Sequence, residues 1–466
     1  MFQLNASQLE AIGFSYIVAR LQVYSPYGAQ WVKNISPIPH REGVLLSLRQ
    51  IEQSLSFMAR KPLEIDLINE QLMWFNHIKG SIVKCDTFTL SMVELFEIKQ
   101  FLLTYEKLHH LLIKLGEGWE GITFPPMDEA LAILDAQGLR LSAFSLDSPA
   151  LRKIREEKIN AEKIKDDQAR AKARNQAIEA EVAEEHRLLM SLTLTLRLFI
   201  PVFMEAFTAI GALDFTLAKA RLAKETQATR PTLSIENKLW LKNMCNPYYE
   251  EIFAKRGASM QRIDLQLKKG TTIITGANMG GKSVALKTAV LNVVLCQMGF
   301  YVFATAAQLP FFDDLYFISE DKQDVAGGLS SFGAEIMTLK KIVDETKQKN
   351  MFIVLDEFAR GTNPTEGVAI VKGVAHYLHQ QPCISVITTH YDGVLSPGIP
   401  HYQVAGLNMA KVTPTQVKNK NISSIEANMD YSLMEVTHAT PPPQNARVIC
   451  QILGLQTDIL ELFDGI

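Results

Sequence analysis

The first half of the chain has the hydrophobic spacing of α-helices. In FSYIVARL, the apolar residues Phe14, Ile17, Val18 and Leu21 recur at i, i+3, i+4 and i+7, which is one face of a helix. The run VELFEIKQFLLTYEKLHHLLIKL, residues 93–115, repeats this spacing over several turns. Strand patterns are scarce in this half. The sequence therefore predicts a mainly α-helical N-terminal part.

A charged stretch follows between residues 152 and 187, RKIREEKINAEKIKDDQARAKARNQAIEAEVAEEHR. Ser148 can cap its start, and Pro149 suits the first helical position. No Gly or Pro then occurs until Pro201, so the stretch is either one very long helix or a helical hairpin that turns near Asn175. A protruding arm and a solvated helix face with i to i+4 ion pairs are both compatible with this composition.

The pattern changes near residues 225–235, where short β-rich runs begin to alternate with helical segments. The runs are TTIITGA, LYFIS, MFIVLDEF and CISVITTHY, and helical stretches such as KSVALKTAVLNVVLCQMG lie between them. Such alternation is typical of parallel strands joined by crossover helices. The second half is therefore predicted to be an α/β domain.

Composition narrows the class of protein without identifying it. The hydrophobic fraction of 47% and the charged fraction of 21% are those of a soluble globular protein, and 466 residues suffice for two to four domains. A formal net charge of −3 gives no overall attraction to nucleic acid or membranes. The five cysteines are too far apart to suggest a zinc site or a disulfide framework. The chain lacks a signal-peptide pattern and a membrane-spanning apolar run, so we expect a cytoplasmic protein.

Residues 276–283, GANMGGKS, fit the G-x-x-x-x-G-K-[ST] pattern of a phosphate-binding loop. A β-rich run precedes the loop and a helical pattern follows it, so backbone N–H groups can converge on phosphate oxygens at a helix N-terminus. We expect Lys282 to reach the β- and γ-phosphates of ATP, and the Ser283 hydroxyl to bind Mg²⁺. The predicted nucleotide-binding residues are Gly276, Ala277, Asn278, Met279, Gly280, Gly281, Lys282 and Ser283.

Two further strand patterns end in residues suited to ATP hydrolysis. IVLDE ends in two carboxylates, and we expect Asp356 to hold Mg²⁺ through its waters and Glu357 to act as general base on the attacking water. VITTH ends in His390, which is placed to sense the γ-phosphate. The predicted reaction is the hydrolysis of ATP to ADP and phosphate, with Mg²⁺ as cofactor.

Four motifs resemble those of the MutS family of ATPases. TGANMGGKSVALKT resembles the family's TGPNMGGKST loop, with Asn278 and Met279 in common and Ala277 in place of the proline. The other three are GGLSSFGAEI (327–336), similar to G-x-ST-F-x-x-E, VLDEFARGTNPTEG (354–367), similar to DE-x-x-RGT-x-x-x-x-G, and TTHY (388–391), similar to ATHY. Less sharply, SPALRKIREEK and EEHRLLMSL resemble the helices that leave and re-enter the MutS core.

The resemblance implies domain boundaries and a mechanism. We expect a helical MutS-like core at 1–147, a charged, shortened clamp arm at 148–200, returning core helices at 201–230, and a P-loop ATPase domain of the ABC/MutS type at 231–466. In this family two subunits pair around nucleotide. Ser330 would then act in trans on the γ-phosphate bound by the partner of a homodimer. ATP binding and hydrolysis would close and open the two arms.

The target of the arms stays open between two hypotheses. Family membership favours a DNA-binding clamp in mismatch repair or recombination that lacks the mismatch-reading domain and binds DNA without sequence specificity. The short arm opposes it, because its basic residues are mixed with acidic ones and it has no aromatic residues for stacking. The alternative is a protein-remodelling ATPase, since DEFARGTNP is similar to ATPases thought to reactivate cobalamin-dependent lysine aminomutases. The sequence assigns no aromatic residue to the adenine.

Overall fold

The computed structural model describes residues 2–135, 138–141, 143–276, 281–319, 331–407, 429–436, 450, 455–456 and 459. The chain divides into two compact units. Unit 1 comprises residues 1–21, 35–49 and 221–466, and unit 2 comprises residues 22–34 and 50–220. Unit 2 is α-helical over its described residues, whereas unit 1 combines helices with two β-sheets. The predicted combination of an α-rich part and an α/β part is confirmed.

The helices before residue 230 follow the hydrophobic spacing of the sequence. The predicted helix at 93–115 is found at Met92–Leu115, where Ser91 and Glu94 form a capping box and Gly116, with φ 72°, ends the helix. The helices are α1 (Ala6–Ala11), α2 (Phe14–Ala19), α3 (Pro26–Lys33), α4 (Arg41–Arg60), α5 (Pro62–Met73), α6 (Lys79–Lys84), α7 (Met92–Leu115), α8 (Asp128–Leu134), α9 (Pro149–Ala161), α10 (Asp167–Arg197) and α11 (Ile200–Thr226).

The core of unit 2 is built on aromatic side chains from α3, α7 and α11. Tyr27 stacks on Phe207 with ring centroids 4.7 Å apart, and Phe101 meets the same Phe207 ring edge-on at 5.3 Å. The buried carboxylate of Asp214 accepts hydrogen bonds from the backbone N–H and the hydroxyl of Ser25, both at 2.7 Å. A buried carboxylate needs hydrogen-bonding partners. Here those partners lie at the start of α3, so the two bonds join α3 to α11.

The charged stretch forms a helical hairpin whose turn lies at residues 162–166. The prediction of a turn near Asn175 is wrong, because α10 runs without a break through that residue. Asp166 caps α10 by accepting a hydrogen bond from Ala169 N, so the chain reverses at the cap without a glycine or proline. Interhelical ion pairs join the two helices, with Glu181 3.0 Å from Arg155 and 2.5 Å from Lys158.

Helix α11 is the one described helix that is long and apolar enough to span a membrane by length and composition. In its most apolar window, 61% is buried inside the protein. A core helix of a globular unit has the same character.

Two sheets form the framework of unit 1, with strand orders β1-β5-β2-β3 and β10-β9-β4-β8-β7-β6. In the six-stranded sheet, β9, β4, β8, β7 and β6 are parallel, and β10 pairs antiparallel with β9. The strands are β1 (Thr232–Ser234), β2 (Lys238–Met244), β3 (Ile263–Lys268), β4 (Gly270–Thr275), β5 (Ala306–Pro310), β6 (Asp314–Ile318), β7 (Met351–Leu355), β8 (Ile384–Thr388), β9 (His401–Leu407) and β10 (Met429–Glu435). The helices between them are α12 (Pro247–Lys255), α13 (Lys282–Gln297), α14 (Ser331–Glu345) and α15 (Pro364–His379).

The parallel register brings three strand ends to one edge of the six-stranded sheet. Ile274 of β4 pairs with Thr388 of β8, and Leu355 of β7 pairs with Ile387 of β8. The residues that follow β4, β7 and β8 are therefore neighbours, although Gly276 and Thr389, the first and the last of them, are 113 positions apart in the sequence. Ligands of open α/β sheets bind at this carboxyl edge.

The compact units differ from the sequence-based boundaries. Residues 1–21 and 35–49, which the sequence assigns to the helical core, belong to unit 1. Gln3 N donates to Leu315 O at 3.0 Å and forms a parallel bridge with Tyr316 at the outer strand β6. Ile38 N donates to Gln297 O at 2.9 Å. Such long-range pairings leave no trace in local hydrophobic spacing.

Candidate nucleotide-binding site

The predicted phosphate-binding loop joins β4 to α13. Gly276, with φ 137°, leaves the strand, and Gly281, with φ 76°, is the N-cap of α13. Both values lie in the region that favours glycine, which explains the two fixed glycines of the motif. Lys282 is the first residue of α13. Ala277, Asn278, Met279 and Gly280 lie outside the described residues.

Lys282 is buried at the start of α13 and points back towards the loop. Its side chain is 4% exposed, and its ammonium donates to Gly276 O at 2.6 Å. Burial lowers the pKa of Lys282, while the charges of Glu357 and Asp356 act in the opposite direction. A buried cation at a helix N-terminus is suited to a phosphate oxygen.

Asp356 directly follows β7 and forms a hydrogen bond with the side chain of Ser283 from α13. Burial raises the pKa of Asp356, and hydrogen bonds from Thr388 and Ser283 oppose that rise. The hydroxyl of Thr388 donates to Asp356 Oδ1 at 2.7 Å. A hydroxyl and a buried carboxylate form a hard oxygen donor set, which is the kind that Mg²⁺ prefers. The residues present therefore fit this ion.

Glu357 occupies a left-handed backbone conformation at the same edge of the sheet, with φ 52°. Its N–H donates to the Thr388 hydroxyl at 2.8 Å, so one buried side chain positions both acidic residues. Its carboxylate is 14% exposed and lies 2.8 Å from the guanidinium of Arg360. The predicted general base is thus held in an ion pair with its own segment.

His390 lies on the neighbouring strand end, as the sequence predicts. It follows β8 and is exposed, and its ring centroid is 4.5 Å from that of Tyr391. Thr389 N donates to Ile274 O at 3.2 Å, which keeps the end of β8 beside β4 and its loop. Ser330, the residue predicted to act in trans, lies outside the described residues.

Two residues at the site have no role in the sequence-based prediction. Thr388 is fully buried and bonds both acidic residues. Tyr431 of β10 lies against the loop, because a Cβ placed on Gly281 would meet its ring at 2.3 Å. Tyr431 is partly exposed, and its N–H donates to Gln261 Oε1 at 3.1 Å. Only the pairing of β10 with β9 brings this ring to the loop, so no local motif could have indicated it.

Comparison with known proteins supports the family resemblance. Residues 272–451 match the family model for MutS domain V. The chain is similar to proteins named endonuclease MutS2, with 32% identity over 212 residues in Staphylococcus epidermidis, which is 45% of this chain and 26% of that protein. The protein from Leuconostoc mesenteroides is 28% identical over 285 residues, 60% of this chain and 33% of the relative.

A relative from Caldanaerobacter subterraneus is 26% identical over 297 residues, which cover 62% of this chain and 34% of the relative. The chain thus spans about a third or less of the length of these curated relatives. The matched family segment contains the loop, the acidic pair, strand β8 and His390, which follows β8. The resemblance to MutS-family ATPases is confirmed on these matches.

Proposed function

The chain carries a MutS domain V, and on that premise we propose that it is an ATPase that couples ATP binding and hydrolysis to the closure of two helical arms on DNA. The observation that carries this proposal is the meeting of Lys282, Asp356 and Glu357 at one edge of a parallel sheet. A buried cation for phosphate and a buried carboxylate beside a hydroxyl are the parts that phosphoryl transfer requires.

Each residue has a role in the proposed reaction. Lys282 exchanges its bond to Gly276 O for a phosphate oxygen of ATP, because a charged partner forms the stronger hydrogen bond. Ser283 and Asp356 hold Mg²⁺, which supplies charge neutralisation on the phosphates. Glu357, whose ion pair with Arg360 involves Oε2, accepts a proton from the attacking water. His390 lies at the next strand end, where it can sense the γ-phosphate.

Tyr431 is the proposed platform for the adenine base. Its ring lies against the N-cap of α13, and the residue is partly exposed, so a base can reach it. Base stacking on an aromatic ring contributes about 1–3 kcal/mol. We expect Tyr431→Ala to weaken ATP binding about tenfold or more, and Tyr431→Phe to retain it. Equal affinity of wild type and Tyr431→Ala for ATP would remove the residue from the site.

Three exposed lysines near the turn of the arm suit non-specific contact with DNA phosphates. Most of its arginines pair within the arm, for example Arg155 with Glu181 and Arg174 with Glu162. Near the turn, the exposed Lys163, Lys165 and Lys172 have no ion pair among the described residues. These three ammonium groups are the proposed phosphate contacts of the arm.

Steady-state turnover tests the ATPase directly. Wild type should hydrolyse ATP in the presence of Mg²⁺, and Glu357→Gln should bind ATP with unchanged affinity while turnover falls at least 100-fold. The same variant should stabilise the nucleotide-bound homodimer, in which Ser330 faces the partner's nucleotide. Light scattering with and without ATP measures this dimer. Undiminished hydrolysis by Glu357→Gln would refute its role as base.

Duplex and branched DNA binding across a salt series tests the target. Replacing Lys163, Lys165 and Lys172 together by glutamine should weaken binding and flatten its salt dependence. The matched control replaces three exposed lysines off the arm, Lys33, Lys107 and Lys114. Absence of DNA binding at low salt would overturn the DNA clamp and leave a protein as the target of the arms. A nucleotide-dependent pull-down would then identify that protein.

A further inference from the structure

Next to the candidate site, the side chains of Glu335 and Tyr391 bond the two peptide groups that flank the Cα of Ala359. We propose that Tyr391 and Glu335 are positioning residues that fix the backbone at Ala359 and thereby aim the carboxylate of Glu357. The inference rests on the proposed ATP hydrolysis. It goes beyond that reaction by assigning a role to two residues that touch neither nucleotide nor the attacking water.

The backbone between Glu357 and Ala359 adopts a conformation that needs support. Both residues have positive φ, 52° and 64°, and neither is glycine. Each such residue costs of the order of 1–3 kcal/mol and persists only where the surroundings determine it. Between them, Phe358 N donates to Thr388 O at 3.2 Å. The segment that carries the proposed base is therefore strained and depends on outside contacts.

Tyr391 supplies the first of these contacts. Its hydroxyl donates to Ala359 O at 2.8 Å, in addition to a longer bond from Thr362 N at 3.3 Å. The ring is 6% exposed and packs on Gly367 of α15, where a Cβ would lie 2.4 Å from a ring carbon. Only glycine at position 367 leaves room for the ring in this place. The hydroxyl is thus held at a fixed point above the Ala359 carbonyl.

Glu335 supplies the second contact, from α14. Its carboxylate accepts a hydrogen bond from Ala359 N at 3.3 Å, and its side chain is 6% exposed. The N–H and the C=O of one residue are therefore held by two different elements. The N–H belongs to the peptide group before the Cα of Ala359 and the C=O to the peptide group after it, so the two bonds together restrain φ and ψ at Ala359.

The two hydrogen bonds to Ala359 connect three parts of the proposed catalytic site. Tyr391 follows the sensor candidate His390 directly and touches its ring. Glu335 lies five residues after Ser330, the proposed contact to the partner's nucleotide. Ala359 is two residues after Glu357 and directly precedes Arg360. The guanidinium of Arg360 forms an ion pair with Glu357. Movement of Tyr391 or Glu335 therefore shifts Glu357 and its ion pair with Arg360 together.

Turnover and ATP affinity measured on the full chain test this role. Tyr391→Phe and Glu335→Ala should each lower kcat about 10- to 100-fold, because misplacement of about 1 Å costs that much, while the Kd for ATP stays within twofold. Glu335→Gln should recover most of the activity, since its amide oxygen still accepts from Ala359 N. The double variant should lose less than the product of the single losses, because both bonds restrain the backbone at one residue.

Two further variants separate positioning from general packing. Tyr377→Phe removes a hydroxyl from the same core, where it lies 3.5 Å from Val343 O, and should leave kcat unchanged. Gly367→Ala removes no hydrogen-bonding group but displaces the Tyr391 ring, and should lower kcat as Tyr391→Phe does. It also provides a second route if Tyr391→Phe fails to fold.

The possible outcomes are distinct. If the wild-type chain does not hydrolyse ATP, the proposed function fails. If it does, and Tyr391→Phe and Glu335→Ala keep kcat within twofold of wild type, the positioning role alone is refuted. An equal loss of kcat in Tyr377→Phe, or a parallel loss of ATP affinity, would likewise overturn it and assign these residues to the stability of the core.

Discussion

Removal of the Thr388 hydroxyl tests how the acidic pair is held. The side chain is fully buried, and its hydroxyl donates to Asp356 Oδ1 at 2.7 Å while accepting from Glu357 N at 2.8 Å. Thr388→Val keeps the shape and removes both bonds. A hydrogen bond to a charged group contributes about 1.5–3 kcal/mol, and an unsatisfied buried N–H costs about 1–3 kcal/mol. Since the two losses share one atom, we expect unit 1 to lose about 2–4 kcal/mol of stability.

Trp240 gives a local signal for this measurement. Of the four tryptophans, Trp31, Trp74 and Trp119 belong to unit 2, and Trp240 of β2 belongs to unit 1. Fluorine-labelled tryptophan, followed by NMR through a urea titration, reports the two units separately. This separation matters because two units need not unfold in one step. Only the Trp240 transition should move to lower urea.

Thr388→Ser is the matched control, because it restores the hydroxyl and loses a methyl group. It should recover most of the lost stability and of the ATP turnover. A Thr388→Val protein whose Trp240 transition stays within about 0.5 kcal/mol of wild type would refute the reasoning. In that case the two hydrogen bonds would make no net contribution to the free energy of unfolding, and another contact would have to hold the acidic pair.

Three other perturbations have defined outcomes. Burial raises the pKa of Asp356. The native state therefore binds more protons than the unfolded chain between about pH 4 and the raised pKa. As pH rises through that window, the stability of nucleotide-free unit 1 should fall. The free energy of unfolding, followed at Trp240 for wild type and for Asp356→Asn at several pH values, checks this pH dependence. A wild-type stability that rises with pH relative to Asp356→Asn would contradict it. Gly281→Ala should abolish tight binding of a fluorescent ATP analogue. The φ of 76° at position 281 is strained for alanine, and the new Cβ would lie 2.3 Å from the Tyr431 ring. Unchanged affinity for the analogue would disprove that packing. Glu181→Gln should weaken the arm hairpin by about 0.5–1 kcal/mol at low salt and by less at high salt, since the side chains of Arg155 and Lys158 are about 40% exposed. Thermal melting of arm helicity at two salt concentrations measures it, and a loss independent of salt would exclude the ion pairs as its cause.

The elements around the candidate site could be predicted because their signals are local. Helix α7 lies within one residue of the predicted run, since its apolar spacing, capping box and terminal glycine agree. The acidic pair follows a strand of five buried residues, as its apolar run indicates. The meeting of Ser283 with Asp356 followed from the spacing of two motifs that parallel strands bring to one edge.

The missed features depend on contacts between distant segments. Tyr431 reaches the loop only through the pairing of β10 with β9. The pairing of Gln3 with Tyr316 joins the first residues of the chain to a strand more than 300 positions away. The turn of the arm has a local signal, the cap at Asp166, but it contains neither the glycine nor the proline that commonly marks a turn. An aspartate cap can start a new helix in a chain that has neither.

The charges of the arm set an upper limit on its electrostatic contact with DNA. Arg155, Lys158 and Arg174 are engaged by carboxylates of the arm, so a phosphate would have to displace a partner already in place. Three lysines near the turn have no ion pair within the part of the chain that the structure describes. They allow a slope of log K against log salt of about −3 for one arm and about −5 for two, at roughly −0.9 per phosphate. A much steeper slope would require cations from elsewhere in the chain. A slope near zero together with tight binding would mean that the arms grip their target by shape and not by charge.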